Sequence, residues 1–535
     1  MILWVGVVSV VVGTTHVGNL EGVLERVGEA FLVVGRGGAY EYSPAGSGVG
    51  EGQVAGYLPA CRLEHLGDPS FLADHRLRYA CMAGAMANGI ASVELVEAMG
   101  RAGMLGIFGA AGLPLAKVEA AIDRLQRSLG DSVPYGFNLI HSPNEPAIEA
   151  AVADLFLRRG VRLVEASAYL DLTLPVVRYR VKGVRRDASG RVVAGNRVIA
   201  KVSRVEVASK FLAPPPARFL RELLATGDIT AEQAELATRL PMADDVTAEA
   251  DSGGHTDNQA AVVLLPTMLA LRDRLQAEHR FDRPPRIGAA GGVSTPRAAA
   301  AMLAMGAGYL VTGSVNQACV ESGSSDAVRR MLAQAQQGDV AMAPAADMFE
   351  MGVKVQVLKR GTMFPMRAAR LYELYRAHAS LADLPAADRA SLEKTIFRLP
   401  LDTVWQQTQA FFRERDPAQL ERAAREPKHQ MALVFRWYLG HASAWANAGE
   451  PSRTVDYQVW CGPAMAAFNE WVKGSFLDPP EHRRAATAAL NILYGAAVLT
   501  RARALTLQGI ALPAGVPRLA PIEVHEIAER TRPGS

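Results

Sequence analysis

Short apolar runs, four to six residues long, recur between residues 79 and 312. Each breaks into glycine, serine, asparagine or histidine, and most are followed by a stretch whose apolar positions fall three and four apart. Runs that are apolar on both faces suit strands of a parallel sheet, and the stretches between them suit amphipathic helices. Strands are expected at 79–83, 105–108, 135–140, 163–166, 198–202, 245–250, 287–290 and 309–312. Helices are expected over 91–102, 115–129, 147–159, 205–211 and 296–306. Eight strands alternating with helices predict a (β/α)8 TIM barrel, in the α/β class. A doubly wound open sheet is the competing arrangement, but no G-x-G-x-x-G follows the first strand.

The alternation falters twice. Asp187-Ala188-Ser189-Gly190 reads as a turn between two basic, β-branched runs. An insertion near 213–243 opens with APPPAR and predicts helices near 219–225 and 231–240, the second with a Thr230/Gln233 capping box. Beyond residue 366 only helical periodicity remains, at 368–379, 386–397, 403–413, 430–439, 462–471 and 485–504. Trp405, Phe435, Trp437, Tyr438, Trp460, Phe468 and Trp471 are read mainly as the core of that helical part. The expected organisation is an N-terminal lead-in over 1–75 with a Gly/Ser-rich hinge at 43–52, a barrel over 76–365, and a mainly helical C-terminal domain over 366–535. The Met- and Gly-rich segment 344–365 is expected to form a lid over the barrel mouth.

Composition changes this picture little. At 535 residues the chain exceeds one compact core, and 49% hydrophobic with 21% charged residues is ordinary for a globular enzyme. A net charge of +3 is too mild for a nucleic-acid partner. Four scattered cysteines, with no C-x-x-C, argue against zinc and disulfides and fit a reducing cytoplasm. The apolar stretch 1–13 lacks a basic flank and is too short to span a bilayer, so a buried strand or an upstream start is expected there.

The candidate chemistry gathers at the strand exits. Gly291-Gly292 and Gly313-Ser314 follow the seventh and eighth strands, where (β/α)8 barrels commonly bind phosphate on bare backbone amides. Glu249–Asn258 reads EADSGGHTDN: its glycines let a flat ligand lie against the backbone, and His255 points at what is bound. The first strand ends in AGAMANG, a small-residue floor with Asn88 beside it; the third offers Asn138 and His141; the fourth offers Glu165 and Ser167. Lys201, at the fifth, is a buried-position lysine that must be paired or functional. No metal-ligand cluster is evident, and no cysteine follows the sixth strand to act as a nucleophile. Two phosphate-type turns and a small-residue floor point to flavin mononucleotide (FMN).

The stretches MAGAMANGIASVELVEAMGRAGMLG, PYGFNLIHSPNEP, EADSGGHTDN, AAGGVSTP and VTGS, together with DYQVWCGPAMAAFNEWVKGS at 456–475, resemble the PfaD-type enoyl reductases. These act in trans in polyunsaturated fatty acid and trans-acyltransferase polyketide synthases. More distantly, the GGH, AAGG and TGS elements resemble nitronate monooxygenases and bacterial flavin-dependent enoyl reductases. The close resemblance covers about 57–504 and leaves out the first twenty or so residues. It implies FMN with its phosphate on Gly291, Gly292, Gly313 and Ser314, and its ring and ribityl chain among Ala83, Gly84, Met86, Asn138, Lys201 and Gly254. His255 matches a histidine that acts as a base in the monooxygenases; its part in the reductases, and the identity of the proton donor, stay open. The implied reaction is NADPH-dependent reduction of an enoyl thioester on an acyl carrier protein, as a partner of a polyketide or fatty acid synthase complex. An acidic carrier would be met by Arg178, Arg180, Lys182, Arg185 and Arg186, or by Lys354, Lys359, Arg360 and Arg367. A nitronate monooxygenase-like oxidoreductase and a flavin-free docking subunit of a megasynthase are the alternative functions.

Overall fold

The computed structural model describes residues 15–16, 18–47 and 52–533, so the apolar stretch 1–13 and the centre of the 43–52 hinge lie outside the described residues. The chain forms two compact units, one of residues 1–66, 295–301 and 489–535, the other of residues 67–294 and 302–488.

The first unit is built on a four-stranded sheet ordered Thr15–His16, Ala39–Pro44, Phe31–Arg36, Gln53–Leu58. Fully buried Arg501 donates to the carbonyls of Val23, Arg26 and Glu29 at 3.0, 2.7 and 2.6 Å. A buried cation is tolerable because main-chain oxygens surround it. Its helix, Ala485–Leu507, has the length and hydropathy of a membrane span, yet 72% of its most apolar 18-residue window is buried within the protein.

The second unit holds the barrel. Its strands are β1 (Cys81–Ala83), β2 (Leu105–Phe108), β3 (Tyr135–Ile140), β4 (Leu163–Ser167), β5 (Arg197–Val202), β6 (Asp245–Glu249), β7 (Arg286–Ala290) and β8 (Leu310–Thr312). All eight are parallel and close in chain order, with Thr312 of β8 paired to Ala83 of β1. Every residue of β1, β2, β4, β7 and β8 is buried, which is why the sequence shows continuous apolar runs and not alternation. Inside, Tyr309 stacks on Phe71 with centroids 4.2 Å apart and shares a 2.8 Å hydrogen bond with Thr247. Position 288 is glycine because a Cβ there would lie 2.3 Å from the Tyr309 ring.

The N-terminal rim of the barrel is tied by charge. Asp245 meets His75 at 2.7 Å and Arg286 at 2.6 Å, and Arg286 also reaches Asp74 at 2.7 Å. Next to it Arg180, 1% exposed, grips Asp244 at 2.6 Å. This corrects one expectation. Arg178 and Arg180 belong to helix Leu174–Val181 and are consumed internally, Arg178 by Asp154 and Asp228 at 2.9 Å each. Of the first basic cluster, Arg178 and Arg180 are therefore spent inside the fold and Lys182 donates to the Asp228 carbonyl, while Arg185 and Arg186 stay exposed. Burial would raise the Asp244 carboxyl, but the Arg180 guanidinium outweighs it and holds it at about 2. A folded-state value below the unfolded one, roughly 3.9, gives stability that is present above that pH and lost as pH falls through about 2. Asp244→Asn is expected to unfold at lower temperature near neutrality and to show a flatter decline of Tm between pH 4 and 2.

The helices after residue 364 bury Phe397, Met431, Phe435 and Tyr438 together, with Trp405, Trp437 and Trp460 against them. Two of the expected helices become three in series: Leu401–Arg415, Pro417–Arg425 and Pro427–Ala448. Pro417 and Pro427 each occupy a first helical position, where the missing N–H breaks no bond, so each proline ends one helix and opens the next.

Candidate active site

The exit of β6 carries the histidine. Glu249 ends the strand, Gly254 adopts φ +86° with open space where a Cβ would point, and Gly254–His255 form a two-residue strand. That strand pairs antiparallel with Lys354–Leu358, His255 opposite Val355, and Lys354–Leu358 pairs in turn with Val340–Pro344. Residues 344–365 thus contribute a strand of a small sheet that carries His255. Gln356 from the same strand donates to Asp251 at 3.0 Å, bracing the loop from outside. Gly253 lies against the backbone of Cys461 and Gly462, where a Cβ would come within 2.9 Å. The reciprocal space at Gly462 is closed by Gly253 and Ser252.

His255 Nε2 lies 3.2 Å from Asp347 Oδ1, and the imidazole is 30% exposed. Burial works to lower the imidazole pKa, but the Asp347 carboxylate prevails and the net shift is upward; Glu249 adds to it and Lys201 opposes.

Below the histidine runs a buried row of charges. Lys201 Nζ sits 3.2 Å from Glu249 Oε1, which answers whether this lysine is paired. Glu165 is completely buried; its Oε2 accepts the Ala85 amide at 2.8 Å while its Oε1 has no partner. Burial raises the Glu165 carboxyl, with Lys201 pulling the other way. Asn138 donates to the Glu165 carbonyl at 3.1 Å and to Ser167 Oγ at 3.0 Å.

The glycine rim divides into two kinds of position. Gly291, φ +80°, is required by packing: a Cβ would fall 2.6 Å from the Ala250 backbone. At Gly292, φ +79°, and at Gly313 the space is open. Among the described residues no protein acceptor lies within reach of the amides of Gly292, Gly313 and Ser314. Ser314 Oγ accepts the Gly462 amide at 3.1 Å and is left with one proton to donate. Unsatisfied amides next to space that a Cβ would fill match a phosphate group, so the residues present fit the phosphate end of a nucleotide. The unpartnered Glu165 oxygen fits a further polar ligand atom or a water.

Ala83 is buried in β1 opposite Thr312, and the Gly84 amide donates to the Thr312 carbonyl at 3.1 Å. Gly84 must lack a side chain because Val311 stands 2.9 Å from its Cβ position, with Glu165 Oε1 beyond at 3.4 Å. Met86 lies in the turn after β1, its carbonyl accepting the Ala91 amide at 3.1 Å. Two candidates turn elsewhere. Asn88, at φ +58°, donates to Ser443 of helix Pro427–Ala448 at 3.0 Å, and His141 stacks on Tyr169 at 5.3 Å. Cys319 is buried and bonded to the Val315 carbonyl. Asp347 and Gly462 escaped sequence reading, the first in a segment without periodicity and the second far along the chain; only the glycine of the CGP triplet marked a close approach.

Comparison with known proteins adds the following. A family model described as nitronate monooxygenase matches residues 70–392, and one described as the inserted helical domain of [acyl-carrier-protein] S-malonyltransferase matches residues 378–457. The chain is 50% identical over 464 residues to a polyunsaturated fatty acid synthase polypeptide of Thraustochytrium sp., covering 85% of this chain and 31% of that protein. It is 46% identical over 440 residues to polyketide biosynthesis protein PksE of Bacillus subtilis, covering 82% of this chain and 57% of that one. The chain therefore spans about a third to a little over half of these two relatives. The solved enoyl reductase domain of MlnA, from the macrolactin biosynthesis cluster of Bacillus amyloliquefaciens, matches with TM-score 0.79 and 39% identity over 83% of this chain and 100% of that domain.

Proposed function

The chain belongs to the nitronate monooxygenase family, on its PfaD-type enoyl reductase branch, and from that premise we propose that it reduces the α,β-double bond of enoyl thioesters on an acyl carrier protein, with FMN as resident cofactor and NADPH as reductant. The observation that carries this reading is the rim of open amides at Gly292, Gly313 and Ser314 on the same barrel face as His255. The polyketide and polyunsaturated fatty acid synthase relatives support the carrier-bound substrate and a synthase of that kind as partner.

A bound FMN supplies hydride transfer, chemistry that no side chain provides. The protein does the rest. The amides of Gly292, Gly313 and Ser314 hold a phosphate by fixed dipoles, with no reorganisation needed. Gly254 leaves the space beside the imidazole free for a flat ligand. Lys201, at the exit of β5, is held by Glu249 at the exit of β6, 3.2 Å away. His255, whose imidazole the Asp347 carboxylate shifts toward the protonated form, can give a proton to the α-carbon as the thioester enolate forms.

The acidic carrier meets fewer free cations than the sequence suggests. Arg367 is drawn into buried Asp456 and Arg360 into Asp339 at 2.6 Å, whereas Lys354 and Lys359 are exposed and without an ion pair among the described residues. An anaerobic assay with NADPH and a crotonyl-type thioester, read by mass for a gain of two hydrogens, tests the reaction; no gain with yellow, folded protein refutes it. In the same assay Lys354→Glu/Lys359→Glu is expected to lower kcat/KM for the carrier-bound substrate about tenfold and to spare a small thioester. Equal loss on both removes the docking role.

A further inference from the structure

Asp347 comes from the 345–353 segment, not from the barrel, and several contacts fix it where it meets His255. Its Oδ1 accepts its own neighbour's amide, Met348 N, at 3.1 Å, which orients the carboxylate. Its carbonyl accepts Asn144 Nδ2 at 2.7 Å. Asn144 follows β3, and its own carbonyl accepts Gln419 Nε2 at 2.8 Å from helix Pro417–Arg425. Gln419 is locked by His429 at 2.9 Å, and the adjoining Glu145 is bridged by Arg415 at 3.0 Å. The charged groups facing His255 are Asp347, Glu249 and Lys201; the one facing Asp347 besides the histidine is Arg436 of helix Pro427–Ala448. The helical segment thus ends, through Asn144, on the histidine's partner.

We propose that Asp347 is the positioning residue of the active-site histidine: its carboxylate accepts the Nε2–H of His255, turns Nδ1 toward the substrate space, and makes His255 the proton donor of the reaction. A carboxylate can only accept, so the proton shared with it sits on Nε2 and Nδ1 faces the other way. In the step this allows, hydride originating from NADPH has added at the β-carbon and left an enolate. The α-carbon then forms a C–H bond to the Nδ1 proton, the N–H electron pair stays on the ring, and the neutral imidazole keeps its Nε2–H on Asp347. Solvent returns the Nδ1 proton. This assignment rests on the reductase reading for its chemistry, though not for its geometry.

The test uses the full chain with histidines selectively labelled, eleven in all, and the His255 resonance identified by its absence in His255→Gln. In Asp347→Asn, of the same shape without the charge, the His255 titration is expected to move to lower pH, and in Asp347→Glu to stay near the wild-type position. With a small enoyl thioester, Asp347→Asn is expected to lower kcat about tenfold, leave KM for NADPH unchanged, and move the alkaline limb of the pH profile down by the same interval. A His255 titration in Asp347→Asn that coincides with wild type overturns the proposal. If the titration moves but no thioester is reduced by wild type, the dyad stands and the reductase reading falls; if thioester is reduced and the titration does not move, the reverse holds.

Discussion

Gly313→Asp is expected to give a folded protein that purifies without flavin. A side chain at Gly313 meets nothing within 4 Å, and its φ of −129° is not in the left-handed region. What changes is the charge at a rim whose amides otherwise meet no acceptor. Two like unit charges about 4 Å apart near a protein surface repel by roughly 4 kcal/mol, about a thousandfold in affinity. Gly291→Ala separates this effect from packing. There a Cβ would lie 2.6 Å from the Ala250 backbone at φ +80°, so the variant should lose stability, by about 1–2 kcal/mol from the backbone conformation alone, before it loses cofactor. Absorbance near 450 nm and thermal unfolding, measured on both variants, check the pair. A yellow Gly313→Asp protein would mean that the phosphate lies elsewhere.

The second large effect belongs to His255. His255→Gln is expected to lose roughly 10²–10⁴-fold in enoyl thioester turnover, the range of general acid catalysis, while anaerobic NADPH still bleaches the flavin. The proton is needed only when the α-carbon is protonated, so the loss should fall in the second half-reaction alone. Stopped-flow measurement of each half-reaction makes the division visible. The sign of the pH profile follows from the raised imidazole value: the acid form is competent, so wild-type turnover holds at low pH and falls as pH rises through the shifted titration. A variant slowed equally in both half-reactions would make His255 a binding residue.

Much of this molecule is local, and that part is legible in the residues. Continuous apolar runs leaving into glycine specify buried parallel strands, because only strands covered on both faces read that way. Positive-φ turns at Gly254 and Gly292 and the capping box at Thr230 are likewise set by neighbours in the chain. Barrel, glycine rim and histidine were all visible on those grounds. Partnership across the fold was not. Arg178 and Arg180 looked like a basic surface, but which face of helix Leu174–Val181 turns inward depends on Asp244, some sixty residues on. Gly291 and Gly292 look alike in sequence, and only the approach of Ala250 makes one a packing residue and the other an open amide. His255 was identifiable as a candidate acid or base, but the carboxylate that meets it stands 92 residues away, in a segment with no periodicity to betray it. Periodicity and φ freedom are properties of adjacent residues. The pairing of a charge is a property of where two distant stretches return, and closure of the barrel decides that.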